Sequence, residues 1–324
     1  MPPKRILVTG AGGFIGSHTA ESLLRRGDSV VALDNLNDYY DPARKRTNLE
    51  EVRAAAGAGT FEFVEGDVRD RELVRSVMRT GFDAVVHLAA MAGVRASVED
   101  PWLYYAVNLT GTMNLLDAAR EFGKPNFVFA STSSAYGATT IIPFVETDAA
   151  DRPLAPYPGS KRAAELLGYT YHHLHGIDFT AVRFFTVYGP RGRPDMMAYK
   201  VFESMRLGHE IPLYNRGQMH RDWTFVEDVA AGVVAAADRR LGYEIINLGR
   251  GEPVLLSDFV TSLENLAGRP ANSVDAPMSD ADVAYTYADI SKARRLLGYN
   301  PQVSVREGVQ KFYDWYVANV GAFE

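Results

Sequence analysis

The first two-thirds of the chain alternates short apolar, β-branched runs with longer stretches of helical period. RILVT (5–9), SVVALD (29–34), FEFVEGD (61–67), DAVVHLAA (83–90), NFVFAS (126–131) and DFTAVRFF (178–185) read as strands. Helical patterns run between them over about 14–26, 70–80, 101–122 and 157–175. Strand, helix, strand in repetition predicts an α/β fold, a doubly wound parallel sheet with helices on both faces. The segment 38–59 reads as a loop and helix inserted between the second and third strands. Beyond Tyr188 the texture changes: GPRGRPD is a Pro, Gly and Arg loop, and mixed short elements follow. A further strand is expected at 244–249, and helices at about 257–267, 290–297 and 304–319. The expected division is a large domain over 1–186, with 225–250 returning to it, and a smaller mixed α/β lobe over 187–324.

Length and charge narrow the picture. A chain of 324 residues suffices for one large α/β domain or for two domains sharing a core. The net charge of −6 gives no general pull toward nucleic acid or anionic membranes, so any phosphate site must be local. There is no cysteine, hence no disulfide, thiol nucleophile or thiolate metal site. The start, MPPKRILVTGAGG, lacks the apolar region and cleavage site of a signal peptide, and no apolar run has the length of a membrane span. These features predict a cytoplasmic protein.

The first candidate chemistry lies in VTGAGGFIG, where Gly10, Gly13 and Gly16 stand three apart between a strand and a helix. Such a turn lets backbone N–H groups approach a pyrophosphate and lets the helix pack close. A glycine pattern alone is also what any tight turn requires. Asp34, ending the second strand, adds a carboxylate suited to the adenosine ribose hydroxyls and repulsive to a 2′-phosphate, which favours NAD over NADP. Asp67, after the third strand, is placed to meet the adenine edge.

The second candidate is the row of hydroxyls in FASTSSAYG (129–137), Ser131, Thr132, Ser133 and Ser134, at the end of an apolar run. Each brings a donor and acceptor that need partners, and local turns to the backbone would satisfy any one of them. In YPGSK, Tyr157 and Lys161 are four apart and share a face if helical, and Pro158 fits a first helical turn. A lysine beside a phenol favours the phenolate, a usable general base.

Taken together, GAGGFIG, Asp34, HLAA, STSSAYG, YPGSK and RFFTVYGP resemble the extended short-chain dehydrogenase/reductase superfamily, in its nucleotide-sugar epimerase and dehydratase branch. DNLNDYYDPARKR, AGVR and RFFTVYGPRGRPDM resemble the UDP-glucuronate 4-epimerases in particular. The chain departs from the pattern in YPGSK, where the family more often has small residues after the tyrosine. The resemblance implies a Rossmann-type fold, a tightly held NAD and a UDP-sugar substrate. It implies Thr132, Tyr157 and Lys161 as catalytic residues. For the cofactor it implies Gly10, Gly13, Phe14, Ile15, Gly16, Asp34, Asn35, Asn37, Asp67, Val68, Leu88, Ala89, Ala90, Asn108 and Phe184, together with Tyr157 and Lys161.

The 4,6-dehydratases of that superfamily carry Asp and Glu where this chain has Ser133 and Ser134, which cannot do acid–base work at neutral pH. Oxidation and re-reduction at C4 is then the expected chemistry. With glucuronate, Ser133, Ser134 and Thr186 could hold the sugar carboxylate by charge-assisted hydrogen bonds; the alternative is a polar loop rim. For the UDP end the candidates are Arg95, Arg191, Arg193 and Arg221, with Asp282 at the uridine ribose, although surface charge is the ordinary fate of an arginine. His172 and His175 in YHHLHG lack the carboxylate spacing of a metal helix. The helices at 101–122 and 157–175 carry apolar stripes, which the resemblance assigns to a homodimer interface. A UDP-glucose or dual-specificity epimerase, and a non-catalytic NAD-binding module, remain alternatives.

Overall fold

A computed structural model describes residues 2–278 and 280–323. The chain begins β1 (Arg5–Thr9), α1 (Phe14–Arg25), β2 (Ser29–Asp34), α2 (Pro42–Ala54), β3 (Phe61–Glu65), α3 (Arg71–Met78) and β4 (Ala84–His87). Two short helices follow, α4 (Ala96–Glu99) and α5 (Pro101–Tyr105), then a π-turn (Ala106–Thr110) leading into α6 (Gly111–Glu121). The central elements are β5 (Asn126–Thr132), α7 (Pro156–His175), β6 (Phe179–Phe184) and β7 (Thr186–Tyr188). Then come α8 (Met197–Leu207), β8 (Ile211–Tyr214), β9 (His220–Phe225), α9 (Val226–Ala237) and β10 (Tyr243–Leu248). The chain closes with β11 (Pro253–Leu255), α10 (Leu256–Ala267), β12 (Ser273–Ala276), α11 (Ser291–Leu297) and α12 (Val305–Asn319).

Seven parallel strands form the main sheet in the order β10-β6-β5-β4-β1-β2-β3. The strand order reverses between β1 and β4, where ligands of open parallel sheets bind beyond the carboxyl ends of the strands. One apolar layer gathers α1, α2, α9 and α11 residues against one face of this sheet, and another gathers residues of α3, α6 and α7 against the other. A third cluster, built from Tyr188, Phe202, Trp223, Phe259, Phe312 and Tyr316 among others, is the core of the C-terminal lobe. Strand β10 pairs in register with β6, so the chain returns to the main sheet after leaving it at β7. Helix α9 reaches the sheet as well, through Val233, Ala236 and Ala237.

The helix expected over 101–122 is interrupted. The π-turn places Asn108 inward, fully buried, where its side chain accepts from Met91 N (2.9 Å) and donates to Met91 O (3.0 Å) and Ser160 Oγ (3.0 Å). Thr112 Oγ1 donates to the Asn108 carbonyl (2.6 Å), satisfying an acceptor that the change of helical winding frees. The prolines flanking Tyr157 are the first and third residues of α7, where N–H groups have no intrahelical acceptor, so Pro158 costs the helix no bond.

Candidate active site

The glycine turn is packed so closely that two of its glycines are dictated by space. Gly10 has φ +70°, and a methyl there would fall 2.6 Å from Ala89 N, where the β1–α1 turn crosses the end of β4. A methyl on Gly16 would sit 1.9 Å from the Gly10 carbonyl oxygen. Asp34 closes the turn from the side: its carboxylate accepts from Gly12 N (2.9 Å) and Leu36 N (2.9 Å). Burial pushes the Asp34 carboxyl up, against these bonds and the nearby Lys45 cation.

Around this turn opens a cleft. It is lined by Gly10, Gly13, Phe14, Ile15, Gly16, Asp34, Asn35, Asn37, Asp67, Val68, Leu88, Ala89, Ala90, Ser131, Tyr157, Lys161 and Phe184. Asp67 accepts from Asn35 Nδ2 (2.8 Å), which ties the ends of β2 and β3 together. His87, fully buried at the end of β4, sits between Thr9 Oγ1 (2.7 Å from Nδ1) and Thr112 Oγ1 (3.0 Å from Nε2). Since Thr112 gives its proton to Asn108, the imidazole must donate from Nε2 and accept at Nδ1. Burial, and then the charge of Lys161, drive its pKa well down, so it is neutral.

Lys161 is buried with its Nζ lacking any hydrogen-bond partner, poised over the Phe129 ring at 4.7 Å. The Tyr40 hydroxyl is likewise buried and unpaired on the same cleft. Orphaned buried donors are costly unless something else satisfies them. A glycine cradle at a helix N-terminus, a carboxylate at the end of β2 and two unpaired donors together fit a dinucleotide.

The second pocket opens beside the first. Ser133, Ser134, Gly137, Phe144, Leu154, Pro158, Thr186, Arg221, Asp282 and Thr286 line it, with Val94, Ala281 and Val283. Neighbouring residues on three segments face the two cavities: Ser131 and Ser133, Tyr157 and Pro158, Phe184 and Thr186. The cavities therefore meet at Thr132 and Tyr157. Thr132, opposite Phe184 in the β5–β6 register, accepts from Ser134 N (3.1 Å). Burial raises the Tyr157 phenol above its usual value, while hydrogen bonding with Thr132 and the charge of Arg193 pull it down.

Over residues 6–249 the sequence matches the model of the NAD dependent epimerase/dehydratase family. The chain belongs to this family. It is similar to a UDP-glucuronate 4-epimerase from Thermodesulfobacterium geofontis, 43% identical over 316 residues, covering 97% of this chain and 96% of that one. Among solved structures it resembles the UDP-glucuronic acid 4-epimerase of Bacillus cereus in complex with UDP-glucuronic acid and NAD, at 33% identity, TM-score 0.87, and 96% and 98% coverage of the two chains. It also superposes on DesIV, a dTDP-glucose 4,6-dehydratase from Streptomyces venezuelae with NAD bound, at 30% identity, TM-score 0.90 and 97% coverage of each chain. The backbone alone thus does not separate epimerase from dehydratase, and the side chains of the second pocket must.

Within this family framework several sequence expectations change. Asn108 does not line the cofactor cleft; its side chain is consumed by Met91 and Ser160 behind the wall. Arg193 lies on the cleft of the glycine turn rather than at the far end of the second pocket. It donates to Asp195 through Nε (2.9 Å) and Nη2 (2.8 Å), and its charge acts on Tyr157. Arg191 is held by Glu21 of α1 (2.7 Å) and Glu51 of α2 (2.6 Å), which removes it as a phosphate ligand. Arg95 pairs with Asp282 of the second pocket's lining and lies over the Tyr214 ring at 3.5 Å. Arg221 donates to the His220 carbonyl (2.9 Å), and burial lowers its pKa. At the Tyr157 phenol burial outweighs hydrogen bonding with Thr132 and the charge of Arg193.

Tyr39, Tyr40 and Lys45 line the first cleft and were not anticipated. Lys45 Nζ donates to Asn37 O (2.7 Å) and Asn37 Oδ1 (2.7 Å), which pins the loop after β2. Their signal was present in DYYDPARK, where aromatics and a cation follow the acidic strand end directly. Among the described residues no cluster could hold a metal ion, and no helix is long and apolar enough to cross a membrane.

Proposed function

We propose that this chain is a UDP-glucuronate 4-epimerase, interconverting UDP-glucuronate and UDP-galacturonate by transient oxidation at C4. The observation that carries the reading is the wall of the second pocket. Four neutral hydroxyl residues, Ser133, Ser134, Thr186 and Thr286, line it, and its single lining carboxylate among the described residues, Asp282, is engaged by Arg95. Elimination of water from C5 and C6 needs an acid and a base there; moving a hydride at C4 does not. The relatives named for this reaction support the same reading.

In this scheme Tyr157 takes the proton of the sugar 4-hydroxyl, with Thr132 relaying it by hydrogen bonding. NAD, when bound, supplies the acceptor for the C4 hydride and the source of its return to the opposite face. Lys161, with its free ammonium in the cofactor cleft, binds the cofactor ribose and adds positive charge beside the phenol. Arg193 adds more on the same side. Arg221 and Asp282 serve the UDP portion.

The hydroxyls have a further task with this substrate. A glucuronate oxidised at C4 is a β-keto acid, which loses CO₂ when its C5–C6 bond aligns with the carbonyl π system. Hydrogen bonds from Ser133, Ser134 and Thr186 hold the carboxylate out of that alignment. Thr186→Val, Ser133→Ala and Ser134→Ala are each expected to weaken UDP-glucuronate binding by roughly 1.5–3 kcal/mol. A share of turnovers should end as CO₂, a UDP-4-keto-pentose and enzyme-bound NADH, read by product analysis and absorbance. Clean epimerisation at normal affinity by all three variants would remove the hydroxyls from carboxylate binding.

A homodimer is part of the proposal. Trp102 (85% exposed), Met113, Leu166, Tyr169 and Leu174 (64% exposed) are large apolar side chains left open on α5, α6 and α7. Pairing of these helices with their copies would bury them. Light scattering is expected to give twice the chain mass, and Trp102→Glu with Leu166→Glu to give the monomer. A wild-type monomer at tens of micromolar would contradict the dimer.

A further inference from the structure

Helix α7 carries a further functional group, fully buried, at the spacing of Tyr157 and Lys161. Glu165 follows Lys161 by one helical turn and is 0% exposed. Its carboxylate accepts from Ser131 Oγ of β5 (2.5 Å), from Arg183 Nε (2.9 Å) and Nη2 (2.7 Å) of β6, and from Arg162 Nη1 (3.1 Å). Arg183 is itself 0% exposed and lies over the Tyr136 ring at 4.4 Å, and the Tyr136 hydroxyl donates to Asn247 Oδ1 of β10 (2.7 Å). One carboxylate thereby joins α7 to the ends of β5 and β6. Ser131, the first hydroxyl of the row at the end of β5, is adjacent to Thr132.

A buried ion pair of this kind is poor evidence of stability, since well-packed apolar residues often do as well. Its placement calls for another explanation. Tyr157 and Thr132 sit on different elements, and proton relay between them requires the helix and the strand end to be held within a fraction of an ångström. The Ser131–Glu165 bond ties the residue next to Thr132 to the helix that carries Tyr157. The same carboxylate, one helical turn from Lys161, acts on it through its charge. His87 from β4 feels the lysine charge and is itself neutral, and Arg183 from β6 and Arg162 on α7 pair with the carboxylate. Glu165 is the single negative charge among them.

We propose that Glu165 is a positioning residue for the Thr132–Tyr157–Lys161 group, its buried carboxylate fixing α7 to β5 at Ser131 and supplying the negative charge that keeps Lys161 an ammonium. The inference rests on the assignment of Tyr157 and Lys161 as the catalytic pair. Burial depresses Lys161, and with the Glu165 charge opposing the fall its pKa comes to about 7. The sign follows from the lysine being required as the cation. Activity falls as pH rises through the lysine pKa, so removing the carboxylate moves the alkaline limb of the pH–rate profile to lower pH.

The test compares wild type, Glu165→Gln, Glu165→Asp and Ser131→Ala, all purified with cofactor and checked for melting temperature and bound NAD. Glu165→Gln is expected to move the alkaline limb of kcat/KM down by about one pH unit, and the pH dependence of NAD⁺ affinity with it. Glu165→Asp is expected to bring the limb back toward wild type. Ser131→Ala keeps the charge and loses the tether; its kcat should fall about 5–10-fold with KM and the limb unchanged. A folded, NAD-loaded Glu165→Gln with a wild-type limb overturns the proposal. Should Glu165→Gln not fold, Ser131→Ala decides, and a wild-type kcat there overturns it. Neither result touches the catalytic pair, which falls only if Tyr157→Phe turns over normally.

Discussion

Tyr157→Phe is expected to keep the fold and the bound NAD while losing about 10²–10⁴-fold in kcat, the range for removal of a general base. The ring stays in its place against Tyr104, whose ring centroid lies 6.1 Å away, and α7 keeps every backbone bond. Only the hydroxyl shared with Thr132 is deleted. The loss should appear in kcat with little change in KM, since the phenol acts on a proton in flight. The check is a turnover assay beside absorbance and melting measurements. Turnover within threefold of wild type would remove Tyr157 from the chemistry.

Gly16→Ala is expected to be a severely damaging single methyl. The added carbon would meet the Gly10 carbonyl oxygen at 1.9 Å, and that atom is backbone with no rotamer to yield. The β1–α1 turn must open, and with it the wall shared with Ala89. Overpacking at this severity should cost about 3 kcal/mol or more. Thermal melting should drop by roughly 6–12 °C, and the purified variant should lack NAD. Melting within 2 °C of wild type with cofactor retained would mean that the turn relaxes freely.

Much of this architecture was legible before any coordinates. The glycine spacing, the acidic end of β2 and the Tyr157–Lys161 pair are local patterns, and local patterns survive folding because each is set by one turn or one helical face. The parallel strands were legible for the same reason, down to β10 in the main sheet. What escaped depends on contacts between distant segments. Arg193 and Arg191 stand two apart in one loop, yet one faces the cofactor cleft and the other is locked to α1 and α2; composition offers nothing to tell them apart. Asn108, assigned to the cofactor by resemblance, is buried by a π-turn that no helical period announces. Helices α8 and α9 were lost among short mixed elements, because α9 is apolar on nearly every side and carries little helical period. Glu165 left a faint trace as the next residue at the spacing of Tyr157 and Lys161, but only Ser131 and Arg183 reveal why a carboxylate is buried there.

The burial of Tyr157 also changes how its reactivity is understood. A lysine beside a phenol favours the phenolate, while burial makes this phenol harder to ionise than a free one. The compensating influences are spread over Thr132, Arg193 and the positive charge of the occupied cofactor cleft. Base strength therefore belongs to the loaded site rather than to the pair.

The most direct measurement is proton NMR of the purified protein incubated separately with UDP-glucuronate and with UDP-glucose, with no added oxidant. The expected result is the appearance of UDP-galacturonate until a fixed ratio is reached, without pentose product, and far slower conversion of UDP-glucose. Rapid interconversion of UDP-glucose and UDP-galactose with UDP-glucuronate left unchanged would contradict the assignment.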